Sequence, residues 1–105
     1  MRALLPLLAA VLATATATAH AQGGAPDPNL GRNLAATCAN CHGTGGKAAA
    51  GSAVPGLAGR PKEELVRTMT EFRDGKRQAT IMHQLAKGYT PEQIDILAAW
   101  FAAQK

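Results

Sequence analysis

Apolar residues recur at helical spacing in separate stretches of this chain, which offers few of the β-branched runs expected of strands. The first stretch follows Asn29, a plausible helix cap, with Leu30, Leu34 and Cys38 at every fourth position along one face. Beside them Gly31 and Ala35 make a smooth surface that another helix can approach closely. Residues 43–60, "GTGGKAAAGSAVPGLAGR", are rich in Gly, Ala and Ser and predict a long irregular loop. A loop of that length in a small domain usually serves a purpose, and wrapping a bound group is one. The second helix is expected to begin at Pro61 as its first helical residue, with Glu63 and Glu64 in the first turn. Its apolar face is Leu65, Val66, Met69 and Phe72, and it should end at Gly75 between Arg73 and Lys76. Residues 78–89, "QATIMHQLAKGY", predict a short, partly helical segment bearing Met82 and closed by Gly88. The last helix starts with Thr90 as cap and Pro91 next, and places Ile94, Leu97 and Phe101 at helical spacing, with Trp100 on an adjacent ridge. All regular structure is therefore expected to be helical, an all-α fold with no internal repeat.

The N-terminal stretch changes the domain count. "MRALLPLLAAVLATATATAHAQ" carries one cation, Arg2, an apolar run, and Ala19 and Ala21 about His20. This reads as a secretory signal peptide over residues 1–21, cut before Gln22. A retained membrane anchor is the weaker reading, because the alternation of Ala and Thr from Ala13 shortens the apolar run below the ~20 residues a span needs. Residues 22–28 then form a flexible leader and residues 29–105 one domain with a modest core, so a stabilising staple is expected. The formal charge of +4 falls by one when Arg2 is removed. No nucleic-acid surface is evident: aromatics are scarce, and the cations of "FRDGKRQ" alternate with acids and polar residues, as on a solvated helix end.

Both cysteines of the chain lie in "CANCHG", residues 38–43. Two thiols at this spacing serve a redox disulfide, half of a zinc site, or covalent attachment of haem. Zinc requires four ligands, and no second cysteine pair exists; His42 adjoins Cys41 too closely for a finger. A redox pair of the thioredoxin kind belongs between a strand and a helix, in a pattern absent here. The motif C-x-x-C-H therefore reads as attachment of haem c, with Cys38 and Cys41 forming thioethers to the vinyl groups and His42 ligating the iron. Export fits, since this attachment takes place outside the bacterial cytoplasm. The haem would also be the missing staple, a large apolar surface around which short helices pack.

With these motifs in hand, the chain resembles class I cytochromes c over nearly all of residues 29–103. "GRNLAATCANCHG" and "IDILAAWFA" resemble the family's crossing N- and C-terminal helices, with Gly31 and Trp100 in the contact positions. "VPGLAGR" resembles the loop whose proline carbonyl accepts a hydrogen bond from the ligating imidazole, which implies Pro55. "TIMHQLAKGYTPEQI" resembles the segment that presents the axial methionine, which implies Met82 opposite His42 as the second metal ligand. Residues 72–90 most resemble the single-haem cytochrome subunits of flavocytochrome c sulfide dehydrogenase. The implied fold is short helices packed around one covalently bound haem.

The implied function is electron transfer in the periplasm by a carrier that is not itself an enzyme. Its redox partner would be a flavoprotein sulfide dehydrogenase subunit, with no nucleic acid and no membrane span after signal cleavage. A free shuttle between respiratory complexes is the alternative. A small haem enzyme or sensor would require Met82 to be displaceable, and a binding module without haem would be colourless. Among rival ligands, Met69 falls at a core-facing helical position and His83 reads as a surface histidine. Arg60 is read as solvated rather than paired with a propionate, and Trp100 and Phe101 as packing residues.

Overall fold

The computed structural model describes residues 24–105, and the expected signal peptide of residues 1–21 lies outside them. Among the described residues all regular structure is helical. Helix α1 spans Leu30–Ala35, tightens into a 3-10 turn over Ala36–Cys38, and resumes as α2 over Ala39–His42. Asn29 stands at the N-cap but its side chain makes no capping bond. Asp27 braces the entry to the helix instead: its carboxylate accepts from the Asn29 N–H at 2.8 Å and from Asn33 Nδ2 at 3.4 Å. Part of the leader thus holds the first helix, although residues 24–28 are exposed throughout.

Beyond a 3-10 turn at Thr44–Gly46, the chain to Arg60 is irregular, as expected. Its course depends on two glycines. Gly43, directly after His42, has φ of 87°, and a Cβ there would lie 1.8 Å from the Lys47 carbonyl oxygen. Gly46, with φ of 78°, lets the loop run against Phe101, whose Cδ1 would be 2.7 Å from a Cβ at this position. Its carbonyl then accepts from the N–H groups of Leu57 and Ala58, and Gly59 N–H donates to Phe101 O at 3.0 Å. These bonds hang the loop on the end of the last helix.

Helix α3 spans Lys62–Arg73; Pro61 lies one residue outside it, at the N-cap with ψ of 133°, rather than as its first helical residue. The helix closes on Gly75, with φ of 72°. Gly75 N–H donates to Phe72 O and Lys76 N–H to Glu71 O, the paired bonds of a Schellman ending. Helix α4 is a single turn, Met82–Leu85, continued by a 3-10 turn over Ala86–Gly88. Helix α5, Pro91–Ala102, begins with a capping box in which Thr90 and Gln93 satisfy each other's backbone N–H groups.

Helix α5 packs on both α1 and α3. Gly31 brings α1 against Trp100, whose Cβ would be 3.1 Å from a Cβ on the glycine. The core is small: Ala35, Leu65, Leu97, Ala98 and Phe101, flanked by Leu34, Leu57, Val66 and the edge-on Trp100 ring. Lys62 and Asp95 tie α3 to α5 at 2.8 Å. The helices thereby leave a concave space between α2, the 43–60 loop, α3 and α4.

Candidate functional site

The Cys-x-x-Cys-His motif, the loop, α3 and the Met82 turn all converge on one cavity of about 700 Å³, a volume suited to a sizeable apolar ligand. Cys38, Cys41, His42, Pro55 and Met82 line it together, with Leu57, Leu65, Met69, Phe72, Leu85 and Leu97 supplying apolar wall. The tight helical run from α1 to α2 puts Cys38 half-buried and Cys41 exposed on the same rim.

His42 is buried, and its Nδ1–H donates to the Pro55 carbonyl at 2.7 Å. Gly43 reverses the chain immediately behind it, which is what brings the loop carbonyl back to the ring. A neutral imidazole committed at Nδ1 keeps its Nε2 lone pair for a metal, with the ring orientation fixed by the carbonyl. Burial pushes the Cys38 thiol above its ordinary value, and a hydrogen bond from Thr37 draws it partway back. A redox-active dithiol needs the opposite shift. Among the described residues no three His, Cys, Asp or Glu side chains converge to hold a metal, so the zinc reading finds no ligand set.

Two sequence expectations need correction. Met69 faces the cavity rather than a separate core, because the apolar face of α3 is itself the cavity wall. His83 is not a surface residue: it is partly buried, its Nδ1 is enclosed without a partner, and it faces a smaller recess against residues 75–79. Arg60, with its side chain 36% exposed, is ion-paired with Glu64, and both border the cavity. Phe101 packs as expected, at 2% exposure, while also reaching the cavity. Sequence reasoning missed Thr37 and Tyr89, whose hydroxyls meet at 3.2 Å on the cavity margin. The chain's single tyrosine, just before the Thr90 cap, was the available signal.

An apolar space with two thiols on one rim, an imidazole oriented by a carbonyl, and a thioether on the far segment defines a c-type cytochrome site. Residues 20–101 match the family described as cytochrome C oxidase, cbb3-type, subunit III, and the chain belongs to this family of cytochrome c domains. It is 38% identical over 71 residues to the cytochrome subunit of sulfide dehydrogenase of Chlorobaculum tepidum, covering 68% of this chain and 63% of that subunit. Cytochrome c4 of Pseudomonas aeruginosa is 37% identical over 90 residues, covering 86% of this chain and 43% of that protein. The structure of Acidithiobacillus ferrooxidans cytochrome c4 superposes with a TM-score of 0.63 at 27% identity, over 77% of this chain and 52% of that one. The chain thus spans less than two thirds of each of these relatives. The family carries covalently bound haem c with its iron, and the cavity's size, apolar wall and donor set fit that group.

Proposed function

We propose that this protein is a periplasmic single-haem electron carrier that takes electrons from a sulfide-oxidising flavoprotein. The observation that carries the reading is the His42 ring held by Pro55 O at 2.7 Å in the wall that Cys38, Cys41 and Met82 also line. The likeness to the Chlorobaculum tepidum sulfide dehydrogenase subunit supports the choice of donor. Haem c supplies, when bound, an iron that gains and loses one electron. Cys38 and Cys41 hold it through thioethers in both redox states. His42 ligates through Nε2, its ring orientation kept by Pro55. Met82 provides the second ligand, a soft thioether that favours the ferrous state and raises the potential. With His42 and Met82 both engaged as ligands, the chain carries single electrons rather than catalysing a reaction of its own. The apolar wall keeps water from these ligands. Among the described residues no helix is long and apolar enough to cross a membrane; export is assigned to the signal peptide of residues 1–21.

The test begins with protein expressed to the periplasm of a host that attaches haem c. A c-type optical spectrum, colour that resists acid-acetone extraction, and poor carbon monoxide binding by the ferrous form are expected. Colour that leaves with the solvent refutes covalent attachment, and ready carbon monoxide binding favours a sensor or enzyme. Reduction by a sulfide-oxidising flavoprotein supports the proposed donor. Reduction by quinol-oxidising complexes alone replaces it with a free respiratory shuttle.

A further inference from the structure

The hydroxyls of Thr37 and Tyr89 lie 3.2 Å apart although 52 positions separate them in the chain. Thr37 sits in the 3-10 turn immediately before Cys38 completes it, and Tyr89 caps the 3-10 turn that continues the Met82 helix. The bond therefore joins the rim that bears the attachment cysteines to the segment that bears Met82. That segment is weak by itself. It consists of a four-residue α-helix and a three-residue 3-10 turn, far shorter than a helix that holds together in water unaided. It packs chiefly on α3, and its Leu85 is 48% exposed, with Ile81 just before it 55% exposed. Tyr89, by contrast, lays its ring against the core cluster, which gives its hydroxyl a fixed base.

We infer that Tyr89 is a positioning residue: its hydroxyl, bonded to Thr37, latches the Met82 segment across the cavity margin and sets how readily Met82 is displaced from the iron. The inference rests on the reading of Met82 as distal ligand. Swinging Met82 away moves the chain that leads directly into Tyr89, so the latch opposes any external ligand that needs the same position. Thr37 is exposed and water competes for the bond, which puts its contribution in the lower part of the range for neutral hydrogen bonds.

The experiment is imidazole binding to the oxidised holoprotein at neutral pH, with the near-infrared sulfur-to-iron band recorded before each titration. Tyr89→Phe should keep the haem and the band, and bind imidazole about two- to fivefold more tightly than the parent. Thr37→Val should give the same gain, and the double variant no more than either alone. Thr37→Val also carries the test if Tyr89→Phe does not mature, since it alters an exposed side chain. Unchanged affinity in the single variants, or gains that add in the double, overturns the latch. A parent protein lacking the band overturns the Met82 reading and the latch with it, an outcome distinct from failure of the latch alone, in which the band is present.

Discussion

Gly46→Ala should destabilise the protein by an amount that the neighbouring Gly45→Ala calibrates. Both glycines have positive φ, 78° and 63° respectively, so a Cβ at either carries the left-handed penalty of about 1–2 kcal/mol. Their surroundings differ. A Cβ at Gly45 meets nothing within 4 Å, whereas one at Gly46 lies 2.7 and 2.9 Å from two carbons of the Phe101 ring and 3.0 Å from Ala58 N. Phe101 is only 2% exposed and packed in the core, so the ring has nowhere to retreat. Overpacking of this kind adds about 1–3 kcal/mol. The total for Gly46→Ala is about 2–5 kcal/mol, against about 1–2 kcal/mol for Gly45→Ala. The assay is guanidinium unfolding of the holoprotein followed by far-ultraviolet circular dichroism. With a slope of about 3 kcal/mol per molar, the Gly46 variant should lose about 0.7–1.7 M in midpoint and the Gly45 variant about 0.3–0.7 M. Midpoints for the two variants that agree within about 0.1 M would refute the reasoning, because they would show that the loop does not press on Phe101. The loop's hold on His42 would then need another explanation, since Leu57 and Ala58 hang from the Gly46 carbonyl beside the Pro55 contact.

Replacing Cys38 and Cys41 together by Ser should abolish haem that survives acid-acetone extraction, measured by the haem stain of a denaturing gel. Met82→Ala should keep the attached haem but lose the near-infrared sulfur-to-iron band and lower the potential, while Met69→Leu keeps the band at a cost below about 1.5 kcal/mol. The reverse pattern would assign the iron to α3, a real contest because both methionines line the cavity. Thr90→Ala removes one of the two side-chain bonds of the α5 capping box and should cost about 1 kcal/mol by chemical denaturation, with the optical spectrum unchanged.

What the sequence determined by itself is the set of features whose causes lie within a few residues. Thr90, Pro91 and Gln93 start α5 through bonds between neighbours, and Gly75 ends α3 through a pair of bonds reaching back three and five residues. The Cys-x-x-Cys-His spacing likewise puts two thiols and an imidazole on one helical run whatever follows. Even there, Asn29 stands at the start of the first helix without making a capping bond, and Asp27 fixes the Asn29 N–H instead. Tertiary structure decided what each apolar face meets. Periodicity shows that Met69 turns inward but not that inward is the cavity, and it does not show that His83 is partly enclosed or that Arg60 pairs with Glu64. The meeting of Thr37 with Tyr89, and of Gly46 with Phe101, depends on chain segments more than fifty residues apart. Such contacts follow from how α1, α3 and α5 stack around the space kept for the haem, a geometry set by the packing of all three at once.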